Sequence, residues 1–328
     1  MKAIVCERYG PPDTMSLRDI HQPMPQRKEV LVRIHAATVT TGDCEIRRFN
    51  IPFLFWIPLR LIMGITRPRP GIFGQEYAGR VETVGSDVQG FKKGDAVFGP
   101  TTMRLGAYAE FICLPEFYLT PFNPDRMTFE QAATIPTGGI NGLHLIHKAN
   151  IHHGDKVLIN GAGGSIGTYA LQFAKLLGAE ISCVDKGPKL EMLLALGADK
   201  VIDYTKEDFT KNGEQYDVIV DIAGESSYSR CIKMLKRKGR YVLGNPSVTG
   251  MFRAIWTSWV TDKKVFFQLA KYTQSSRIYI RDQIETGTIV PFIDKRFTLE
   301  QVPEAHRYVD TGLKRGNVTI IVVPTHKV

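Results

Sequence analysis

From Val157 to Gly167 the chain reads Val-Leu-Ile-Asn-Gly-Ala-Gly-Gly-Ser-Ile-Gly. An apolar strand runs there into a glycine-rich turn. A helical pattern follows, with apolar residues at Ile166, Ala170, Leu171, Phe173, Ala174 and Leu177. The spacing is Ala162-x-Gly164-x-x-Gly167, or Gly161-x-x-Gly164-x-x-Gly167 counted from the first glycine. Such a turn binds phosphate. A side chain at Gly164 would keep the backbone N–H groups away from a pyrophosphate, and one at Gly167 would push the helix off the strand. The helix start offers N–H donors and the positive end of its dipole to an anion. Gly161, Ala162, Gly164, Ser165, Ile166 and Gly167 are therefore the expected cradle of a dinucleotide.

A glycine run also marks an ordinary tight turn, so the neighbouring elements decide. A second strand spans 180–184 and ends at Asp185, where an acid can meet a ribose. Strand-like runs follow at 200–202, 217–221 and 240–243, with helical stretches between them. Alternating strands and helices build a parallel sheet. Up to residue 122 the pattern is different. Short strands are punctuated by Gly and Pro, as at 30–36, 79–85 and 87–98. Thr128 is an expected N-cap for a helix opening at Phe129. The tail returns to a helix at 299–311 and a strand at 318–323. A β-rich part, an inserted nucleotide-binding unit and a returning tail suggest one domain split by another.

The chain has 328 residues, 43% of them hydrophobic and 23% charged. That describes a globular protein long enough for two domains. The five cysteines, Cys6, Cys44, Cys113, Cys183 and Cys231, are far apart and form no Cys-x-x-Cys pair, which argues against a disulfide framework. The strand-like opening Lys2-Ala3-Ile4-Val5 adds the expectation of a cytoplasmic protein without a signal peptide. The net charge of +9 is uneven. Residues 46–75 hold five arginines and no acid, and residues 226–261 hold seven Lys or Arg and no acid. Such patches attract anions. No nucleic-acid motif accompanies them, so a solvated basic face that partly serves an anionic cofactor is the preferred reading. Two apolar segments, 51–65 and 251–269, are rich in aromatic residues. The first is too short and too interrupted by Pro52, Pro58 and Arg60 to span a bilayer. Both are read as buried core or as a cover over an apolar pocket, with contact to a membrane surface as the lesser alternative.

The order of features resembles the medium-chain dehydrogenase/reductase superfamily, and within it the zinc-independent quinone oxidoreductase branch. The resemblance runs through Lys2-Ala3-Ile4 with Gly10-Pro11-Pro12, Gly74-Gln75-Glu76-Tyr77-Ala78-Gly79, Val84-Gly85-Ser86-Asp87-Val88 and Gly94-Asp95-Ala96-Val97. It continues in Gly106-Ala107-Tyr108-Ala109-Glu110, the glycine turn, Leu196-Gly197-Ala198-Asp199 and Arg315-Gly316-Asn317. It implies an α/β chain with a GroES-like, β-rich catalytic domain (1–122 plus 288–328) split around a Rossmann domain (123–287). The active site is then expected in the cleft between them. Zinc-dependent members place their ligands at positions that fall here on Thr40, Gln75 and near Thr137, none of which is a suitable ligand. Cys44 lies four residues past the first position, and the four-cysteine structural zinc loop of such members is absent. No metal is therefore expected.

The resemblance further implies hydride transfer from a reduced nicotinamide to a quinone or conjugated enone, a small apolar electrophile, in a homodimer. Without a metal, charge developing on the acceptor must meet hydrogen-bond donors. Thr40 and Asp43 sit where the branch carries polar active-site residues, although many members have Asn at the Thr40 position. Phe49, Tyr77, Tyr108 and Trp256 are expected to line the substrate pocket. Thr137, Asn141, Ala223, Gly244, Asn245 and Asn317 join the cradle as expected cofactor contacts. Asp185 favours the ribose hydroxyls of NAD(H). Lys186 follows it directly, and Lys189 and Tyr204 match positions that contact the 2′-phosphate in NADPH-using relatives. The expectation leans to NADP(H), with an Asp185 that points away from the ribose. A catalytically weak dinucleotide-binding structural or sensor protein is the alternative.

Overall fold

The computed structural model describes residues 1–50, 53–69, 71–224, 226–267 and 270–323. Its contacts divide the chain into two units, Met1–Thr137 with Thr273–Val328, and Gly138–Tyr272.

The first unit opens with β1 (Lys2–Cys6) and β2 (Met15–Asp19), an antiparallel pair. β3 (Glu29–Thr38) follows, then helices α1 (Thr41–Arg48) and α2 (Phe53–Met63), then β4 (Glu76–Val84), β5 (Ala96–Pro100), β6 (Phe111–Pro115), β7 (Thr120–Pro121) and α3 (Phe129–Ala133). β3 is buried along almost its whole length, because it is paired on both edges. β4 runs along one edge, while β6 takes the first half of the other edge and the tail strand described below takes its end. The register of β3 with β4 shifts between Leu31 and Val32, where Glu82 is the extra residue, and between Ile34 and Ala36, where His35 is. Ile4, Val32, Ile34, Tyr77, Val97 and Leu114 close the core beneath. Thr128 caps α3 through a reciprocal box with Gln131, as its position predicts.

The second unit runs α4 (Ile140–Ala149), β8 (Lys156–Asn160), α5 (Ser165–Leu176), β9 (Glu180–Asp185), α6 (Leu190–Ala195), β10 (Lys200–Asp203), β11 (Tyr216–Asp221), α7 (Tyr228–Lys233), β12 (Leu235–Leu243), α8 (Val248–Val260) and β13 (Lys264–Phe267). Its six strands are all parallel, in the order β10-β9-β8-β11-β12-β13. Val157, Leu158 and Ile159 are fully buried, as a strand covered on both faces should be. The order reverses between β8 and β11, and ligands bind such sheets at the carboxyl ends flanking that point.

The chain then returns to the first unit with α9 (Gln274–Glu285), β14 (Ile293–Thr298), α10 (Val302–Asp310) and β15 (Asn317–Ile321), the tail strand that pairs with β3. α3 packs on β3 and β4, and Arg277 of α9 donates to Thr120 Oγ1 at 2.7 Å and Phe117 O at 2.9 Å. Both helices therefore belong to the β-rich unit.

Of the readings expected for the two apolar segments, buried core holds only in part. Residues 51, 52, 268 and 269 lie outside the described residues. In the second segment the helical spacing holds only to Val260. A turn at Thr261–Lys263 then leads into β13, which adds an edge to the sheet. The stripe on α8 is not core, since Phe252, Trp256 and Trp259 are 70%, 65% and 86% exposed. Trp56, Ile57, Leu61 and Ile62 of α2 are exposed too. No helix among the described residues is long and apolar enough to cross a membrane.

Candidate functional site

The glycine turn sits at the carboxyl end of β8, pinned to both neighbouring strands. Gly161 N donates to Val184 O at 3.0 Å, and Ile222 N to Asn160 O at 2.9 Å. Gly161 has φ +79°, a conformation that a side chain resists, and a Cβ there would come within 3.0 Å of Ala223 N. Gly161 and Ala223 thus stand face to face, with Gly244 and Asn245 exposed at the end of β12. Gly164 is the N-cap of α5 and, having no side chain, leaves the first-turn N–H groups without a side-chain cap. A Cβ on Gly164 would meet nothing nearer than Gly161 O at 4.0 Å, so the space before it is open. At Gly167 a Cβ would lie 2.4 Å from Ala162 O. These residues fit a dinucleotide: an open cradle, a helix start without its own cap, and close packing behind.

Two polar residues beneath the turn, Asn160 and Asp221, have no place in the glycine spacing. Asp221 ends β11 and is buried. Its carboxylate accepts from Asn160 Nδ2 at 2.8 Å, Gly224 N at 3.0 Å and Tyr241 Oη at 2.8 Å. It ties the ends of β8, β11 and β12 together. Their only sequence signal is a polar residue closing an apolar strand, as in Asp217-Val-Ile-Val-Asp221.

At the end of β9, Asp185 is engaged by the glycine turn itself. Its carboxylate turns back under the glycine turn, accepts from Gly163 N and Lys186 N, each at 2.8 Å, and pairs with Lys189 Nζ at 2.9 Å. Asp185 and Lys189 are both buried, 5% and 8% exposed. The short 3-10 turn Gly187–Lys189 folds the lysine back across Gly163. Tyr204 is 44% exposed, with its N–H on Asp185 O at 3.3 Å. Asn141 donates to Tyr272 Oη at 3.3 Å. Asn317 lies in the first unit, 1% exposed, and donates to Phe292 O at 3.0 Å.

The first unit holds a second polar cluster where β3 leads into α1. Thr40 is the N-cap. Its hydroxyl accepts from Asp43 N at 3.1 Å and donates to Asp43 Oδ2 at 2.6 Å, and Thr40 N donates to the same oxygen at 2.9 Å. Gln75 Nε2 donates to Thr40 Oγ1 at 3.3 Å. A Cβ on Gly42 would sit 2.9 Å from that amide, so glycine there admits Gln75. Next to Gln75, Glu76 is 1% exposed. Thr38 Oγ1 donates to its Oε1, and Thr137 N to its Oε2 at 2.6 Å. Tyr108 Oη donates to Thr38 O at 3.2 Å. Burial pushes the Asp43 carboxyl up to about 6 and that of Glu76 up to about 7. The positions read as lost zinc-ligand sites, Thr40, Gln75 and Thr137, therefore share one hydrogen-bonded patch. At those three positions the groups are hydroxyl, amide and peptide, which do not suit zinc. Among the described residues no group of three His, Cys, Asp or Glu is arranged to hold a metal. Glu76 was missed because in Gly-Gln-Glu-Tyr it reads as an ordinary strand start.

The far end of α1 is held by Arg47, fully buried. Arg47 donates to Gly10 O at 2.6 Å, Asp310 Oδ2 at 2.6 Å and His306 Nδ1 at 3.3 Å. Burial holds the imidazole of His306 near 3, hence neutral, and Cys44 Sγ lies 3.4 Å from the same nitrogen. So part of the basic patch at 46–75 is internal scaffolding.

Of the four expected pocket residues, three lie in the first unit and Trp256 in the second. Tyr77 and Tyr108 are fully buried in the first unit, one beside Ala37 in the β3–β4 pairing and one bonded to Thr38, so neither lines an open wall. Phe49 closes α1 at φ +54°, 4% exposed, with its ring 4.0 Å from the Arg60 guanidinium that Tyr9 and Trp56 also flank. Trp256 stands exposed on α8.

Comparison with known proteins gives consistent matches. A family model described as Alcohol dehydrogenase GroES-like domain matches residues 26–124, and one described as Zinc-binding dehydrogenase matches 196–320. A 2-methylene-furan-3-one reductase of Solanum lycopersicum is 30% identical over 337 residues, covering 99% of this chain and 80% of its own. An NADPH-dependent alkenal/one oxidoreductase, chloroplastic, of Arabidopsis thaliana is 29% identical, with 99% and 80% covered. The solved quinone oxidoreductase from Coxiella burnetii superposes with a TM-score of 0.87 at 27% identity, over 98% of this chain and 99% of that one.

Proposed function

The chain belongs to the medium-chain dehydrogenase/reductase superfamily, in its quinone oxidoreductase branch, and from that premise we propose that it reduces a quinone or a conjugated enone with a nicotinamide dinucleotide. The observation that carries the reading is the open cradle at Gly164, at the head of α5 and at the sheet's switch point. When bound, the dinucleotide supplies the hydride. The chain supplies the rest. The first turn of α5 takes the phosphates, the Gly161–Ala223 contact leaves room for them, and Asp185 with Lys189 meets the ribose. Thr40 offers a hydroxyl to the acceptor's oxygen in place of a Lewis acid. Alcohol oxidation is disfavoured, because Thr40, Gln75 and Thr137 neither ligate zinc nor form a strong base. Enone and quinone reduction need only modest polarisation and a proton. The names of the tomato and Arabidopsis relatives support the enone, and that of the Coxiella structure the quinone.

Stopped-flow mixing of the NADPH-loaded enzyme with a soluble quinone or enone tests this. Rapid loss of reduced nicotinamide absorbance is expected. Binding without transfer to either acceptor would leave the sensor reading in its place. Elemental analysis is expected to find no stoichiometric zinc, and chelators to leave turnover intact. One tightly held zinc per chain would overturn the zinc-independent reading.

NADP(H) is the donor we favour. The charge of Asp185 is engaged by Gly163 N, Lys186 N and Lys189 Nζ, which blunts its repulsion of a 2′-phosphate. We also read the chain as a homodimer. The exposed stripe of α8 and the open edge of β13 support a second copy as their cover. Sedimentation equilibrium should then give twice the chain mass, and a monomer at all concentrations would contradict it.

A further inference from the structure

We propose that Asp43 and Glu76 hold one proton between them, and that this proton follows the hydride to the acceptor through the hydroxyl of Thr40. Its delivery step rests on the hydride-transfer reading above. The proton store itself rests on the first unit alone.

Asp43 and Glu76 are each 1% exposed, and neither has a Lys or Arg ion-pair partner among the described residues. Their hydrogen bonds come from neutral groups: Thr40 to Asp43, and Thr38 and Thr137 N to Glu76. Asp43 Oδ1 is buried and makes no well-formed hydrogen bond, with Gln75 beside it. The charged and titratable groups around the pair do not cancel it. Cys44 and Tyr108 are raised by burial and stay neutral at pH 7. Arg47 on α1 is matched by Asp310 of α10, which also pairs with Arg48, and His306 is neutral. Two buried carboxylates that repel each other without a counter-cation keep a proton that exposed ones would lose.

Thr40, 5% exposed, caps the first turn of α1 and bonds directly to Asp43. With Asp43 ionised, Thr40 Oγ1 donates to Oδ2. Protonation of Oδ2 reverses that bond and frees the Thr40 O–H. A bound dinucleotide would supply the hydride, with its electron pair, to the acceptor carbon, and negative charge would gather on the acceptor oxygen. The Thr40 O–H bond then breaks toward that oxygen while the Asp43 O–H bond breaks toward Thr40 Oγ1. Thr40 ends unchanged and Asp43 ends as carboxylate, to be reprotonated from water. Nothing in the protein is oxidised or reduced. An anion forming beside two carboxylates is costly, so the proton must move with the hydride.

The active form is the protonated one. Turnover should be flat at acid pH and fall about tenfold per pH unit above the pair's titration, between about 6 and about 7. The test is the pH profile of kcat for the full chain with NADPH and a soluble enone, together with infrared spectra of the enzyme without acceptor. Glu76→Gln removes the neighbouring charge, so the falling limb should move about one pH unit lower. Asp43→Asn should abolish the limb. Thr40→Val should slow turnover about 100-fold, and Thr40→Ser should restore it. The wild-type infrared spectrum should show a protonated carboxyl band that disappears near neutral pH, and it needs no variant to fold. A limb that stays in place in Glu76→Gln, or no carboxyl band titrating near neutrality, overturns the proposal. A titrating band with no acceptor reduced at any pH upholds the proton store and sinks the hydride-transfer reading instead.

Discussion

Gly167→Ala is expected to destabilise the dinucleotide-binding unit by about 3 kcal/mol and to abolish cofactor binding, whereas Gly164→Ala should abolish binding alone. At Gly167 the new Cβ would lie 2.4 Å from Ala162 O, 2.5 Å from Ala162 C and 2.5 Å from Gly161 O. All three are backbone atoms of the turn, so no side chain can swing aside. Relief requires α5 to lift from β8, which opens a core where Leu158, Tyr169, Ala170 and Leu171 are at most 1% exposed. At Gly164, φ is −91° and the nearest atom to a Cβ is 4.0 Å away. Alanine fits there at a cost under about 1 kcal/mol. Yet its methyl would occupy the open space before the helix start, where phosphates must approach the N–H groups. Urea unfolding separates the two variants by stability, and fluorescence titration with NADPH measures binding. A Gly164→Ala protein that binds as tightly as the wild type would show that the phosphates lie elsewhere.

That contrast was legible in the sequence because it is local. A strand, a turn and a helix start within eleven residues dictate which glycines face a ligand and which face the fold. The split architecture was legible for a similar reason, since the hydrophobic period changes from alternation to parallel strands near Thr128 and back again at the tail. What depended on distant partners was not. Arg47 reads as one more cation in an acid-free stretch, but its partner Asp310 lies 263 residues away. Glu76 looks like a strand residue until Thr38 and Thr137 N are seen to converge on it. Tyr77 and Tyr108 have the right chemistry for a pocket wall, but the pairing of β3 with β4 and the bond to Thr38 bury them. The stripe on α8 had the right period and the wrong surroundings, because periodicity reports that a face is apolar and not what covers it.

Lys189→Ala is expected to reverse the cofactor preference, for a reason that appears only in the fold. Four residues apart, Asp185 and Lys189 look like competing signals for NADH and NADPH. Folded, they are one ion pair, with Nζ 2.9 Å from the carboxylate and both side chains nearly buried. Removing the lysine therefore acts twice. On the NADPH reading proposed above, it deletes a charge-assisted contact to the 2′-phosphate, worth about 1.5–3 kcal/mol. It also leaves Asp185 held by Gly163 N and Lys186 N alone, with more negative charge to repel that phosphate and free acceptor capacity for ribose hydroxyls. The Kd for NADPH should rise roughly 10- to 100-fold, while that for NADH stays level or falls. Asp185→Asn keeps an acceptor for Gly163 N while removing the charge, and should tighten NADPH and weaken NADH. Because the two side chains touch, the double variant should depart from additivity by roughly 1 kcal/mol or more. If Lys189→Ala weakens both cofactors alike, the lysine only braces the glycine turn. If the wild type binds NADH more tightly and Asp185→Asn destroys that preference, the acid governs and the lean to NADPH is wrong.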